Sequence, residues 1–196
     1  TRWANATTPE TFAIGADGSG FAKMTAPADV RQFVTSPDGS RMICWKYGDS
    51  AAYISAADGS GMTKLPFAVE NASWSPDSLR VAFQTNAVGD KKLASTELLV
   101  YSVKDAKLTE LTSNTAFDGD PGWSPDGQNI VFSSDREGNY EIYSMKTDGS
   151  DVRRLTNNPG HDSFPKFSPD GTQIAFNSNI ERETTDVYVM NSDGTN

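Results

Sequence analysis

A Ser-Pro-Asp turn that recurs four times constrains the fold of this chain more than any other feature. It stands at residues 36–39, 75–78, 124–127 and 168–171, so successive copies are 39, 49 and 44 residues apart. Three copies end in Gly, and Ser78 takes that place in the second. Proline presets the first dihedral angle of a tight turn, and Gly supplies the positive φ that closes it. The repeat therefore predicts a hairpin at the same place in four similar units.

A second turn signal alternates with the first. Asp-Gly stands at residues 17–18, 58–59, 148–149 and 193–194, with a degenerate copy at 104–106. Between the turns lie short segments of alternating apolar and polar residues, such as 141–145, which predict strands. Four strands with a period of about 44 residues are typical of a β-propeller blade. Helical repeats of similar length are disfavoured, because Pro, Asp-Gly and β-branched residues occur in every unit.

The predicted fold is therefore all-β: a β-propeller of four-stranded antiparallel blades, arranged as a partial arc of about four to five blades. An open arc exposes strand edges, which is a liability for a soluble protein. We therefore expect the chain to be part of a larger propeller of roughly six or more blades. The predicted boundaries are an N-terminal extension over 1–10, a half blade over 11–25, blades over 29–66, 70–112 and 117–156, and an incomplete blade over 161–196.

Two stretches of the chain carry a family resemblance. The run from Asp162 to Phe176, followed by residues 186–194, resembles the TolB-like Pro-Asp (WD-like) propeller repeat, and so does the run from Asp118 through Thr156. The resemblance implies an extracytoplasmic, periplasmic protein that binds protein partners. Similar repeats also occur in propellers of tricorn-like and prolyl-oligopeptidase-like peptidases and in oligogalacturonate lyases. The fold by itself does not choose among these functions.

Composition narrows the partners. The chain has 196 residues, with 17 Lys and Arg against 26 Asp and Glu, giving a net charge of −9. Because nucleic-acid affinity comes from clustered Lys and Arg, we expect no nucleic-acid partner. No stretch approaches the roughly 20 apolar residues of a membrane helix, so no membrane span is expected. Cys44 is the single cysteine, which excludes an internal disulfide.

The sequence offers little for catalysis or metal binding. His161 is the only histidine and no Gly-x-Ser-x-Gly elbow occurs, so we expect no catalytic residue in this chain. Acidic pairs at 118–120 and 148–151 are explained by turns, and neither continues into a calcium-binding loop. We therefore predict neither a metal site nor a cofactor.

The recurring residues are expected to be structural. The aspartates of the Pro-Asp turns should accept hydrogen bonds from local backbone amides. Cys44 should lie in the core because the other units have Phe at its place. Trp74 and Trp123, just before the Pro-Asp turn, should lie in the core as well.

Loops that break the repeat are the predicted binding surface, because non-repeating polar residues on a rigid scaffold usually carry specificity. The function hypothesis is a non-catalytic protein-binding, accessory or scaffold propeller, a subunit of an extracytoplasmic assembly. The alternative is the gating propeller of a serine peptidase, or part of a polysaccharide lyase, with catalytic residues outside this chain. The residues predicted to bind a partner are Arg136, Arg182, Asp118, Asp120, His161 and Asp162.

Overall fold

A computed structural model shows how these segments fold. It describes residues 11–13, 22–24, 29–49, 51–88, 91–180 and 184–195. Over these residues the regular structure is strands joined by turns. No helix in this part of the chain is long and apolar enough to cross a bilayer.

The strands form one hairpin and four antiparallel sheets, each in chain order. The hairpin pairs β1 (Thr11–Ala13) with β2 (Ala22–Met24). Blade A comprises β3 (Val30–Thr35), β4 (Arg41–Lys46), β5 (Ala52–Ala56) and β6 (Thr63–Lys64). Blade B comprises β7 (Glu70–Trp74), β8 (Arg80–Val88), β9 (Lys91–Ser102) and β10 (Lys107–Glu110). Blade C comprises β11 (Asp118–Trp123), β12 (Asn129–Ser134), β13 (Glu141–Lys146) and β14 (Arg153–Arg154). Blade D comprises β15 (Ser163–Phe167), β16 (Gln173–Ser178) and β17 (Asp186–Asn191).

The core lies between neighbouring blades, and strand alternation explains why. In blade C, Ile130, Phe132, Tyr143 and Met145 are buried against residues of blade B. The intervening residues Val131 and Ile142 are buried against blade D. Because successive side chains of a strand point to opposite faces, each middle strand contributes to two interfaces. Each fully buried aromatic or aliphatic side chain contributes about 1.5–3 kcal/mol relative to an exposed one.

The Ser and Asp side chains of the Pro-Asp turns accept hydrogen bonds from local backbone amides, as predicted for the aspartates. The Asp126 carboxylate accepts the N–H of Gln128 at 3.0 Å, and the Ser124 hydroxyl accepts the N–H of Asn129 at 2.9 Å. Hydrogen bonding from Ser124 lowers the pKa of the Asp126 carboxyl. The same carboxylate-to-amide bond, 3.0 Å long, recurs at Asp38, Asp77 and Asp170.

Adjacent blades are joined through their first strands and by tryptophan side chains. Strand β3 contacts β7, β7 contacts β11, and β11 contacts β15, which gives an open arc. The indole N–H of Trp74 donates to the Val34 carbonyl of blade A at 2.9 Å, and that of Trp123 donates to Ser73 of blade B at 3.0 Å. In the opposite direction, the Trp45 indole donates to the Val69 carbonyl at 2.9 Å. The buried Cys44, Trp74 and Trp123 confirm the predicted core positions.

Candidate functional site

The loops at the ends of the blades opposite the Pro-Asp turns form a surface that we call the rim, comprising residues 111–117, 135–140, 155–162 and 179–180. These loops bond to one another: Phe117 donates its N–H to the Asp135 carboxylate at 2.8 Å, and Asp162 donates its N–H to the Tyr140 carbonyl at 2.8 Å. The described residues of the predicted binding set lie on or directly beneath the rim. Arg182 lies outside the described residues.

A buried carboxylate relay holds the rim loop between blades B and C. The Thr112 hydroxyl donates to Glu97 Oε2 at 2.7 Å, and the Asn114 N–H donates to Glu97 Oε1 at 2.8 Å. The Asn114 side-chain amide then donates to Asp118 Oδ2 at 2.6 Å. Asp118 is 0 % exposed, so it acts as an anchor of the loop.

The loop between blades C and D repeats this relay. The Thr156 hydroxyl donates to Glu141 Oε2 at 2.6 Å, and the Asn158 N–H donates to Glu141 Oε1 at 3.0 Å. The Asn158 amide donates to Asp162 Oδ2 at 2.7 Å. The two glutamates, two threonines and two asparagines were not among the predicted residues, although Leu-Thr-x-Asn-x-x-x-Asp recurs at 111–118 and 155–162.

Arg136 lies over the Asp118 anchor. Its Nη2 donates to Asp118 Oδ1 at 2.8 Å, and its Nε donates to the Ser134 hydroxyl at 3.0 Å. The guanidinium carbon lies 4.9 Å from the ring centre of Tyr143 and 5.2 Å from that of Phe132. Burial raises the pKa of Tyr143 to about 12, so this ring stays neutral beneath the cation. Arg136 is therefore a fixed cation with 23 % of its side chain exposed.

Asp120 joins blades B and C beneath the rim. Its Oδ1 accepts the Asn71 amide at 2.7 Å and its Oδ2 accepts the Ser133 hydroxyl at 3.1 Å. Its own N–H donates to Gln84 Oε1 at 2.8 Å. Burial raises the pKa of the Asp120 carboxyl, while the Ser133 hydroxyl and the Phe164 N–H oppose that change. The carboxylate thus fixes the position of the next blade's first strand.

His161 and Phe164 are exposed ring side chains in this region. His161 lies in the rim loop beside blade D, and its ring centre is 5.6 Å from that of Tyr140. Its backbone N–H donates to Asn179 Oδ1 at 2.7 Å. Phe164 is 52 % exposed. Its φ of 53° is unusual for a bulky residue and marks a locally strained backbone. An exposed aromatic, an imidazole and the fixed Arg136 are each able to make non-covalent contacts with a partner.

The carboxylates near the rim are engaged in hydrogen bonds and ion pairs. Among the described residues, no group of three or more His, Cys, Asp and Glu side chains is arranged to hold a metal ion.

Four antiparallel sheets with their first strands side by side define a β-propeller. A family model described as the TolB β-propeller domain matches residues 36–159, and the chain belongs to that family.

One of two curated relatives is described as a peptidase and the other as a Tol-Pal system protein. The chain is 33 % identical over 88 residues to the uncharacterized peptidase YuxL of Bacillus subtilis, covering 44 % of this chain and 13 % of that protein. It is 32 % identical over 120 residues to the Tol-Pal system protein TolB of Bordetella pertussis, covering 60 % of this chain and 27 % of TolB. The chain therefore spans about a quarter or less of the length of these relatives.

Solved structures show the same fold at lower identity. A putative TolB from Agrobacterium tumefaciens superposes with a TM-score of 0.76 and 24 % identity, covering 97 % of this chain and 73 % of that one. An oligogalacturonate lyase in complex with manganese gives a TM-score of 0.65 and 12 % identity, covering 92 % of this chain and 55 % of that one. At these identities the likeness shows the fold alone.

Proposed function

We propose that this chain is a non-catalytic propeller that binds a protein partner, as an accessory or scaffold component of an extracytoplasmic assembly. The proposal rests on membership of the TolB β-propeller family and on a relative named for the Tol-Pal system. Propellers present variable loops on a rigid scaffold, which suits recognition of another protein.

The observation that carries this proposal is the exposed aromatic side chain of Phe164. Its backbone N–H is held by the buried Asp120 carboxylate, so the aromatic ring is presented at a position that the scaffold determines. Asn71 and Asp120 adopt a similar positive φ at the same place in blades B and C, so this bulge is part of the repeat. Blade D puts an aromatic at this place where the other blades have polar residues. Aromatic side chains are also among the residues that dominate binding energy at interfaces.

Charge favours a cationic partner surface. The net charge of −9 would accelerate association with a positively charged protein and slow association with anions. Arg136 and His161 would then contribute local contacts and register rather than the overall attraction.

Partner binding by the full-length protein tests the proposal. Partners would be cross-linked in the envelope fraction, identified, purified and titrated against the wild-type protein and Phe164→Ala. We expect Phe164→Ala to weaken binding by about tenfold or more, because a buried aromatic contact is lost. The matched control is Val152→Ala, an exposed apolar residue beside the turn at the other end of blade C.

Equal affinities for the two variants would contradict a binding site at Phe164. Fractionation of the full-length protein to the cytoplasm would contradict the extracytoplasmic part of the proposal.

The second candidate function is the propeller portion of a peptidase or a polysaccharide lyase. The relative described as a peptidase supports the first of these, and an oligogalacturonate lyase shows that the same fold also occurs in a lyase. Assays of the full-length protein with peptide substrates and with oligogalacturonate discriminate the functions. Hydrolysis or eliminative cleavage that survives purification would replace the non-catalytic proposal.

A further inference from the structure

Blades C and D carry equivalent aspartates with different neighbours. Asp118 and Asp162 each stand six residues before the Ser of their blade's Pro-Asp turn, and Arg136 and Ile180 each stand twelve residues after it. The backbone is alike at this last position, because the N–H of Arg136 and of Ile180 each donates at 3.3 Å to the Ser hydroxyl two residues earlier. Blade D therefore keeps the anion of this pair and replaces its cation with an apolar side chain.

Only one of the two oxygens of the Asp162 carboxylate consequently accepts a hydrogen bond from a described residue. Its Oδ2 accepts the Asn158 amide at 2.7 Å. Its Oδ1 is buried and receives no hydrogen bond from any described residue, and the whole side chain is 0 % exposed. A buried carboxylate oxygen without a partner is costly, and such an exception in a folded protein needs an explanation.

Blade D retains the other groups that surround the Arg136 guanidinium in blade C. Ser178 corresponds to Ser134, which accepts Arg136 Nε. The rings of Phe176 and Tyr188 lie 6.0 Å apart at 29°, and those of Phe132 and Tyr143 lie 5.7 Å apart at 30°. A carboxylate, a hydroxyl and two stacked rings are the groups that a planar guanidinium contacts.

A cavity of about 390 Å³ is lined by Ser178 and the two rings, and also by Asn158, whose side-chain amide bonds Asp162. Asp162 itself lies beneath this lining and is fully buried. Ile180 is one of its walls and is 38 % exposed, so it is the side chain that an incoming group would displace. Its other walls include Leu155, Asn158, Phe176, Ser178 and Tyr188.

The fourth strand of blade C does not provide the cation that pairs with Asp118. Its Arg154 donates to Glu137 at 2.7 Å and to Glu141 at 2.8 Å, and its Arg153 donates to Asp151 at 2.9 Å. Asp118 is neutralised by Arg136 alone among the described cations.

We propose that blade D binds a guanidinium group, the side chain of an arginine on a protein partner, with Asp162 Oδ1 accepting its N–H. The ring pair provides the stacking face and Ser178 provides a second acceptor. The choice of a protein as the source of the arginine rests on the proposed function, and the net charge of −9 favours such a basic partner. Arginine fits better than lysine, because its planar fork can stack and donate at the same time.

We call the place formed by Asp162, Ser178 and the Phe176 and Tyr188 rings the slot. Titration of the 196-residue chain with N-acetyl-arginine amide tests it without any partner. Amide shifts of Ser178 and Ile180 would report binding, with N-acetyl-lysine amide as the matched probe. We expect the arginine probe to bind about tenfold more tightly than the lysine probe. Asp162→Asn should abolish this preference, whereas Asp151→Asn, an exposed carboxylate outside the cavity, should leave it unchanged.

Ile180→Arg should also abolish binding, because the new side chain would fill the slot from within. Equal affinity for the two probes, or full binding by Asp162→Asn, would overturn the proposal. Binding that appears only in Arg182→Ala would overturn it as well, since the chain's own arginine would then be the occupant.

The outcome for the slot and the outcome for the proposed function are separable. If the arginine probe binds and the full-length protein captures no partner, the slot stands and the protein-binding function fails. If a captured partner binds wild type and Ile180→Arg equally, its arginine does not enter the slot, and the inference is overturned while the function stands.

Discussion

Blades C and D solve the same packing problem differently. In blade C the buried Asp118 is neutralised by Arg136, whereas in blade D the buried Asp162 stands with Ile180 at the corresponding place. Blades A and B use apolar or small residues at both positions, Val30 with Gly48 and Val69 with Ala87. The fold therefore accepts either an ion pair or an apolar pair. Blade D carries the acid alone, which is why it is the blade where we infer an external cation.

The largest effect should come from giving blade C the residue of blade D. Arg136→Ile would leave the buried Asp118 carboxylate without its cation, and we expect a loss of about 3 kcal/mol in the free energy of unfolding. Urea denaturation of the 196-residue chain would measure this loss.

The double variant Asp118→Val with Arg136→Ile gives blade C an apolar pair, as in blade B, and should recover most of the loss. Arg153→Ala removes an exposed ion pair of the same blade and should change stability by less than about 0.5 kcal/mol. A single variant Arg136→Ile as stable as wild type would show that the ion pair is not what keeps Asp118 buried.

The converse change should stabilise blade D. Ile180→Arg would give Asp162 Oδ1 a donor and place a guanidinium on the Phe176 and Tyr188 rings, with an expected gain of about 1–2 kcal/mol. Thermal and urea unfolding would measure it, with Ile180→Lys as the matched control that should gain less. A destabilised Ile180→Arg protein would mean that blade D cannot reproduce the arrangement of blade C.

The relay glutamates of blades B and C, Glu97 and Glu141, have different charged neighbours. Glu141 is paired with Arg154 at 2.8 Å, but Glu110 stands where blade B would have this arginine, beside the relay residue Glu97. Burial raises the pKa of Glu97, and the negative charges of Asp118 and Glu110 raise it further. The hydrogen bonds that Glu97 accepts from Thr112 and Asn114 lower the pKa in part.

The folded state binds the Glu97 proton more tightly than the unfolded state does, because its pKa is raised. Glu97 therefore lowers the free energy of unfolding as the pH rises from the ordinary carboxyl pKa through the raised pKa. Glu110→Arg should lower the pKa of Glu97 and flatten this fall, gaining about 1 kcal/mol at neutral pH and less under acid conditions. Unfolding free energies measured from acid to neutral pH would check this, with Glu110→Gln as the control. A gain that is the same at every pH would exclude Glu97 as its source.

The smallest effect concerns the degenerate turn of blade B. Ala106 is exposed and adopts φ 51°, where the matching turn of blade C has Gly149 at φ 86°. Ala106→Gly should stabilise the chain by about 0.5–1 kcal/mol, because a Cβ is unfavourable in this region. Gly149→Ala is the opposite test, since its Cβ would lie 2.7 Å from the Leu111 carbonyl oxygen. Thermal unfolding should show a rise for the first and a clear fall for the second.

The turns and the core could be predicted from the sequence because their causes are local. Pro-Asp and Asp-Gly fix their own dihedral angles, and alternation fixes which side chains are buried. Even Ser78, where the repeat lacks its Gly, adopts φ 60°. Its hydroxyl accepts the Asp38 N–H of blade A at 3.1 Å, so this serine also links two blades.

The rim was less predictable, because its order comes from partners distant in the chain. Polar loop residues are usually solvated, yet Asp118 and Asp162 are buried anchors of the relays. Their connection to Glu97 and Glu141 spans about twenty residues and a sheet edge, which no local pattern reveals. The recurring Leu-Thr-x-Asn-x-x-x-Asp was the available signal, and a binding role for these aspartates stays a prediction.

The tryptophan bonds between blades have a consequence for how the arc comes apart. Blades A, B and C are joined by indole N–H donors, but Phe167 stands in blade D where Trp123 stands in blade C, and a phenyl ring has no N–H to donate. In repeat proteins stability is a sum of units and the couplings between neighbours. Lys166, next to Phe167, joins the two blades instead, because its ammonium donates to the Pro121 carbonyl of blade C at 2.7 Å. Blade D is therefore held by a charged donor where blades A to C are held by neutral indoles. Among the described strands β17 pairs on one side only, so local fraying and fast amide exchange should begin there.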